Sequence, residues 1–269
     1  APYNNIYEDV EKFALFSKAV LEALPYLDFC PDIIHCHDWQ TGLLPVFLRT
    51  LYGDEEYYTG IKTVFSIHNL KFQGRWKLPA VMDITGLPEA NYLKGGVVYA
   101  DAVTTVSPTY AYEITTPEGG EGLEGLMYAC RDKLSGILNG LDYTEYDPQK
   151  DVYLTNHYNE VNYKEGKALN KTRLQKNVSL PVDGDVFLIG MVSRMTDQKG
   201  FDLIAYIMDE LLSTERVQFV VAGTGEARYQ DMLSYFAGKY PDKMKVHIGY
   251  SEELAHQIYA SCDAFLMPS

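Results

Sequence analysis

Short runs of consecutive apolar residues alternate with longer amphipathic stretches along most of the sequence. Runs that are apolar at nearly every position predict strands buried on both faces, and such strands belong to parallel sheets covered by helices. The alternation therefore predicts an α/β protein. The predicted strands cover 32–36, 63–68, 102–107 and 135–140 in the first half, and 186–193, 217–223, 245–250 and 264–268 in the second.

The amphipathic stretches between these runs predict helices. Thr41 is predicted to cap the first helix, Ser107 followed by Pro108 to cap another, and Ser251 to cap the last. The stretch "APYNNIYEDVEKF" at the start is interpreted as beginning in a loop. The predicted helices are "TGLLPVFLRTLYG", "LKGGVVYAD", "PTYAYEITT", "GLEGLMYACRDK", 162–179, 200–213, 226–240 and 252–261.

Two successive series of strands and helices predict two Rossmann-like, doubly wound domains. The polar segment 141–185 separates them and carries one helix. We therefore divide the chain into a first domain at 1–145, a linker with a leading helix at 146–185, and a second domain at 186–269. Because such sheets bind ligands at the carboxyl ends of their strands, the expected site is a cleft between the two sheets.

Composition narrows the possible partners. The 269 residues carry a net charge of −14, which argues against nucleic acid or an anionic membrane as a partner. The sequence has no signal peptide and no apolar run of membrane-spanning length. Its four cysteines form no Cys-x-x-Cys pair, so we interpret them as reduced thiols of a cytoplasmic protein.

The stretch "SRMTDQKG" at 193–200 places two cations, Arg194 and Lys199, between a predicted strand and a predicted helix. The positive end of a helix dipole repels cations, so their presence indicates an anion between them. Phosphate oxygens would accept from both side chains and from the free N–H groups of the helix. The stretch lacks Walker A spacing, and no Gly-x-Gly-x-x-Gly follows a strand, so ATP, nicotinamide and flavin use have little support.

Polar residues follow the first two strands in "HCHDWQTG" and "FSIHNLKFQG". Asp38 and Trp39 are either a capping carboxylate and a packed indole, or groups that line a polyol-binding cleft. A lone histidine such as His68 is more often structural than catalytic, but two successive strands that end in polar loops favour a shared cleft in which it would be functional. The His-x-His pair shows no third or fourth ligand nearby, so zinc is not favoured. Asn139, in an Asn-Gly pair after the fourth strand, is better explained from sequence alone as a turn residue.

Two more features stand at strand ends in the second half. The glycines of "AGTGEARY" are better explained by a tight turn than by phosphate contact. Tyr250 precedes a predicted helix, where it is either an exposed loop residue or a platform on which a base stacks.

Taken together, the sequence resembles the bacterial glycogen synthase and plant starch synthase family. The resemblance is carried, in order, by "HCHDWQTGLLPVFL", "VFSIHNLKFQG", "ADAVTTVSPTYAYEI", "GEGLEGL", "LSGILNGLD", "MVSRMTDQKGFDLI" and "IGYSEELAHQIYASCDAFLMPS". It implies the GT-B fold and the transfer of glucose, with retention of configuration, from ADP-glucose to the non-reducing end of an α-1,4-glucan. It also implies that no metal or other cofactor takes part.

Family roles are implied for the matching positions. Arg194 and Lys199 resemble the pair that grips the diphosphate and stabilises departing ADP. His68 resembles the active-site histidine near the transferred glucose, and Asn139 the asparagine that also lines the donor site. Asp38 resembles the carboxylate near the acceptor glucan. At the two remaining positions, Trp39 would flank that carboxylate and Tyr250 would stack on adenine.

The family pattern is incomplete in this sequence. Its Lys-x-Gly-Gly-Leu loop would precede Ala1, its Glu-Pro-x-Gly motif would follow Ser269, and the chain is short near residues 88–92. We therefore interpret the sequence as a fragment in which both domains are truncated, and expect the fragment itself to be inactive. Three alternatives remain: a UDP-glucose enzyme related to sucrose-phosphate synthase, a catalytically inactive glucan-binding protein, and a sugar-nucleotide epimerase of similar architecture.

Overall fold

A computed structural model describes residues 6–76 and 90–269, with the side chains of Ile6 and Tyr7 excepted. The chain divides into two compact units, Ala1–Gly140 and Leu141–Ser269, which we call the first and second units. The predicted subdivision at 145 and 185 stays a prediction. The predicted shortening near 88–92 adjoins the segment 77–89, which lies outside the described residues.

A four-stranded parallel sheet with strand order β1-β2-β5-β6 forms the centre of the first unit. A short antiparallel pair, β3 and β4, lies outside this sheet. The strands are β1 Ile33–His37, β2 Lys62–Ile67, β3 Arg75–Trp76, β4 Ala90–Asn91, β5 Ala102–Thr105 and β6 Leu134–Gly136. The helices are α1 Ile6–Ala23, α2 Leu43–Thr50, α3 Tyr92–Tyr99, α4 Pro108–Glu113 and α5 Glu124–Ala129.

The second unit contains another four-stranded parallel sheet, with order β10-β7-β8-β9. Its strands are β7 Phe187–Val192, β8 Val217–Gly223, β9 Met244–Ile248 and β10 Ala264–Phe265. Its helices are α6 Tyr163–Asn177, α7 Phe201–Thr214, α8 Ala227–Lys239 and α9 Glu252–Ser261.

The central strand β8 shows why its sequence is apolar at nearly every position. Phe219 and Val221 pack into a cluster that includes residues of α7 and α8. Val220 and Ala222, which point to the opposite face, pack with Leu174 of α6 and other buried residues. Both faces of the strand are therefore buried, which confirms the predicted parallel α/β sheet.

Two of the three predicted helix caps are present in the structure, and the third is not. The hydroxyl oxygen of Ser107 accepts from the N–H of Tyr110, and that of Ser251 accepts from the N–H of Leu254, as predicted. The prediction for Thr41 is wrong. A 3₁₀ turn precedes α2, and the Thr41 hydroxyl donates instead to the carbonyl of His37 at 2.9 Å.

Other elements differ in length or were missed. The predicted strand at 135–140 ends at Gly136. Helix α1 is absent from the predicted helices, and the loop predicted at the very start of the sequence lies outside the described residues. In the described ranges, no helix combines the length and the apolar character needed to cross a membrane.

Candidate functional site

The carboxyl ends of β1 and β2 bring Asp38 and His68 into contact. Because the two strands are parallel and paired, both chains leave the sheet at the same edge. The Oδ1 atom of Asp38 accepts from the backbone N–H of His68 at 2.8 Å and lies 3.4 Å from that of Asn69. The N–H of Asp38 in turn donates to the carbonyl of Ser66 at 2.9 Å. The hydrogen bonds of Asp38 therefore join the loop after β1 to the loop after β2.

Three histidine rings line this edge. His35 and His37 lie two residues apart on the same face of β1, with ring centroids 4.2 Å apart, and the His37 ring stacks on His68 at 5.3 Å. The Nδ1 atom of His37 lies 3.0 Å from Nε2 of His68. Partial burial lowers the pKa of His37, and the neighbouring His35 and His68 lower it further, although Asp38 opposes them. The lowered pKa favours the neutral form of the His37 ring.

A chain of hydrogen bonds runs from the His35 ring across three neighbouring strands of the sheet. The Nε2 atom of His35 lies 2.7 Å from Oγ of Ser66, which lies 2.5 Å from Oγ1 of Thr104. The three residues come from β1, β2 and β5. Sequence analysis missed this chain. Ser66 was a usable signal, because it is a polar residue in an otherwise apolar strand and a buried polar group needs a partner.

Trp39 is packed inside the first unit. Its indole is 4% exposed, packs edge-to-face against Phe13 of α1 at 5.2 Å, and lies 6.1 Å from Tyr92. A Cβ atom added at Gly74 would meet the indole at 2.4 Å. The burial of the indole favours the packed alternative, and the predicted place of Trp39 beside the acceptor carboxylate stays a prediction. The packing partner lies on α1, the helix that the sequence analysis missed.

Asn139 lies apart from the contacts between Asp38 and His68. It is exposed, three residues beyond the end of β6, and its side chain makes no hydrogen bond with the described residues. The chain leaves the sheet at Ile137, whose N–H donates to the carbonyl of Thr105 at 2.8 Å. Its predicted place in a donor site stays a prediction.

In the second unit, the loops after β7 and β8 run side by side. The N–H of Met195 donates to the carbonyl of Thr224 at 2.9 Å, and the N–H of Glu226 donates to the carbonyl of Met195 at 2.8 Å. A Cβ atom at Gly223 would lie 1.9 Å from the carbonyl oxygen of Ser193, and one at Gly225 would lie 2.2 Å from that of Met195. Close backbone packing therefore explains both glycines.

Arg194 and Lys199 flank the tight turn that joins β7 to α7. The turn is closed by N–H groups of Thr196 and Lys199, and Gly200 precedes the helix with φ of 69°. Arg194 is exposed and Lys199 is half-buried. Neither side chain makes a hydrogen bond or ion pair with the described residues, and no side chain caps α7. Two cations and a helix start are thus available to an anion.

Tyr250 stands on the loop after β9. The preceding Gly249 donates its N–H to the carbonyl of Gly223 at 2.9 Å, which joins this loop to the one after β8. The Tyr250 ring is 85% exposed, and its hydroxyl donates to Oε2 of Glu252 at 3.2 Å. This hydrogen bond raises the pKa of Tyr250. No described hydrogen bond links Tyr250 to Arg194 or Lys199.

Sequence analysis also missed a polar cluster in the second unit. In the part of the chain that the structure describes, side chains of the metal-binding types converge in one group of three: Glu145, Glu252 and His256. The only local signal was the spacing of four residues between Glu252 and His256, which places both on one face of a helix.

Known proteins resemble the chain throughout. The family model described as "Starch synthase catalytic domain" matches residues 1–129, and "Glycosyl transferases group 1" matches residues 186–269. A glycogen synthase from Lachnospira eligens is 57% identical over 100% of this chain and 59% of its own length. One from Geobacillus stearothermophilus is 48% identical over 98% of this chain and 56% of its own. The chain thus spans between half and two thirds of these relatives.

The chain is also similar to a solved starch synthase structure. The catalytic domain of Starch Synthase IV from Arabidopsis thaliana, bound to ADP and acarbose, has a TM-score of 0.89 and 32% identity. The match covers 97% of this chain and 57% of that one. The sequence motifs, the two parallel sheets and these comparisons agree: the chain belongs to the glycogen synthase and starch synthase family of GT-B glycosyltransferases.

Proposed function

We propose that the protein transfers glucose from ADP-glucose to the non-reducing end of an α-1,4-glucan, with retention of configuration. The observation that carries this proposal is the 57% identity to a glycogen synthase over the whole chain. The starch synthase solved with ADP and acarbose supports the same classes of ligand, a nucleotide and an oligosaccharide. These comparisons also favour glucan synthesis over a sucrose-phosphate synthase-like or epimerase function.

The second unit supplies the cations for the donor in this proposal. Negative charge grows on the diphosphate as the bond to glucose breaks. Arg194 and Lys199, which have no partner among the described residues, would donate charge-assisted hydrogen bonds to it, and the uncapped start of α7 would add N–H donors. In this role the two cations replace a metal ion, so we propose that no metal or other cofactor takes part in the transfer.

The first unit supplies the groups near the glucose residues. His68 would lie beside the transferred glucose, where its ring or backbone offsets positive charge at the anomeric carbon. Asp38 would face the acceptor, and it also holds the His68 backbone through the 2.8 Å hydrogen bond. This second contact means that Asp38 acts on the reaction partly by positioning His68. Asn139 completes the donor side in the proposal.

Tyr250 is proposed to stack on adenine. Its ring is exposed, and the hydrogen bond to Glu252 restrains its hydroxyl while both ring faces can accept a base. Because stacking alone does not separate adenine from uracil, the preference for ADP-glucose over UDP-glucose rests on the relatives. The four cysteines are free thiols, which suits the cytoplasmic location that we propose.

The test is a transfer assay with the complete protein encoded by the source gene. The protein is mixed with glycogen and either ADP-glucose or UDP-glucose, and nucleotide release is followed together with chain extension. We expect ADP release and a longer polymer. Release of UDP alone would assign the protein to the neighbouring transferases. Glycogen binding without release from either donor would indicate an inactive glucan-binding protein. Either result would overturn the proposal.

A further inference from the structure

Three side chains in the second unit converge without a role in the proposed transfer. Glu145 lies in a turn in which the N–H of Tyr146 donates to the carbonyl of Asp142 at 2.8 Å. Glu252 and His256 lie one turn apart on α9. One potential ligand atom from each of Glu145, Glu252 and His256 lies within 4.8 Å of the other two. Imidazole nitrogen and carboxylate oxygen are common ligands of divalent first-row cations.

The imidazole of His256 is buried and only half satisfied. Its residue is 2% exposed, and Nδ1 lies 2.7 Å from Oδ2 of Asp151, which is also buried. The ring stacks on Tyr146 with centroids 4.6 Å apart and an angle of 13°. Nε2 is buried and has no hydrogen-bond partner among the described residues. Because buried polar atoms almost always have partners, this nitrogen points to a ligand.

The two carboxylates lie close enough to repel each other when both are ionised, since the ligand atoms of Glu145 and Glu252 fall within 4.8 Å of one another. A proton shared by the pair would relieve this repulsion, and the helix dipole favours Glu252 at the start of α9. Neither explanation supplies a partner for Nε2 of His256. A cation bound by Nε2 and by both carboxylates would satisfy all three groups.

We propose that Glu145, Glu252 and Nε2 of His256 bind a divalent transition-metal cation, with Asp151 holding the imidazole in the Nδ1–H tautomer. In metal sites, histidine ligands usually donate their second N–H to a carboxylate, which fixes the ring and makes the ligating nitrogen more basic. The contact between Asp151 and His256 has this form. Glu145 is exposed, so its side chain can move inward to complete the coordination.

The cation would act outside the chemistry of transfer. Tyr250, proposed to stack on adenine, donates its hydroxyl to Glu252, and a cation would compete for that carboxylate. Cation binding is therefore expected to change nucleotide affinity. This consequence rests on the proposed function, whereas cation binding itself does not.

The test is calorimetric titration of the complete, chelator-treated protein with Zn²⁺ in the absence of nucleotide. We expect saturable binding of one equivalent. Glu145→Gln and Glu252→Gln should each weaken binding about tenfold or more, as should Asp151→Asn, which acts through His256. Glu253→Gln is the matched control, because Glu253 neighbours Glu252 and contacts Gln257 instead, and it should bind as the parent does.

Two outcomes would overturn the inference. One is the absence of saturable Zn²⁺ binding by the parent protein. The other is equal affinity in the parent, Glu145→Gln and Glu252→Gln, which would place any bound Zn²⁺ elsewhere in the chain. Circular dichroism of each variant checks that the fold is retained. Because the titration uses neither sugar nucleotide nor glucan, its failure leaves the proposed transfer untouched, and failure of the transfer assay leaves the cation site untouched.

Discussion

The carboxyl edges of the two parallel sheets differ in how their polar side chains are satisfied. At the edge of the first sheet, His68 is hydrogen-bonded to Asp38 through its backbone and to His37 through its ring, and the His35 ring is hydrogen-bonded to Ser66. At the corresponding edge of the second sheet, Arg194 and Lys199 have no hydrogen bond or ion pair among the described residues.

This difference suggests different roles: the polar residues of the first edge position one another, whereas the two cations of the second edge supply charge. A network of mutual hydrogen bonds and ring contacts restricts the orientations of its members. Cations without partners contribute little to the stability of the fold, so they remain available for an anion. We therefore expect substitutions at the first edge to disturb geometry, and substitutions of the two cations to remove function at little cost in stability.

The largest effect is expected from Arg194→Ala and Lys199→Ala. Each should lower the turnover of the complete enzyme roughly 10²–10³-fold, the usual loss when one group that stabilises transition-state charge is removed. Thermal stability and glycogen binding should stay unchanged. Arg173→Ala, which removes an exposed arginine of α6, is the control. Unchanged transfer rates in both variants would refute the diphosphate role.

Lys171→Met tests a buried cation whose ammonium group has hydrogen-bond partners, in contrast to Arg194 and Lys199. Lys171 is 5% exposed, and its Nζ donates to the carbonyl of Val186 at 2.5 Å and to Oδ2 of Asp263 at 2.6 Å. Its loss should lower the free energy of unfolding by about 2–3 kcal/mol, measured by denaturant unfolding. Lys164→Met, at an exposed lysine of the same helix, should have almost no effect. A stability loss no larger than that control's would contradict the prediction.

Asp38→Ala is expected to lower turnover about 10–100-fold, because a charge-assisted hydrogen bond to the His68 backbone is lost. The affinity for ADP should be unchanged, since the cations proposed to bind the diphosphate belong to the second unit. Equilibrium binding of ADP and steady-state kinetics separate the two quantities. A large loss of ADP affinity would show that this division between donor and acceptor groups is wrong.

The smallest effect is a pH dependence of stability at Asp101. Burial alone would raise the pKa of this carboxyl, but the N–H of Thr63 and the guanidinium of Arg49 outweigh burial and lower it. The stabilisation is therefore complete above the unfolded pKa near 4 and is lost as the pH falls through the lower folded value.

Asp101→Asn should accordingly destabilise the protein at pH 7 and match the parent in strongly acidic buffer. The difference at pH 7 should be under about 1 kcal/mol, because the pair of Asp101 with Arg49 is partly exposed and screened. Parallel denaturation curves at the two pH values measure it. A difference that is independent of pH would show that the ionised carboxylate is not the cause.

Much of the fold could be predicted from local sequence. Strand β8 has the predicted bounds, α9 spans its predicted range, and the caps at Ser107 and Ser251 are confirmed. These features depend on residues that are neighbours along the chain. The candidate site was predictable only in part: Arg194 and Lys199 do flank one turn, and Asp38 does meet His68, but Trp39 is buried.

The sequence alone determined the type of sheet, the positions of most strands and helices, and the family, because apolar periodicity, capping residues and motif order are properties of contiguous residues. Tertiary structure decided which distant side chains meet. Asp151 reaches His256 across 105 positions, and Trp39 is covered by a helix that its own motif does not contain. A side chain's neighbours depend on how sheets and helices pack, and local periodicity carries no information on that packing.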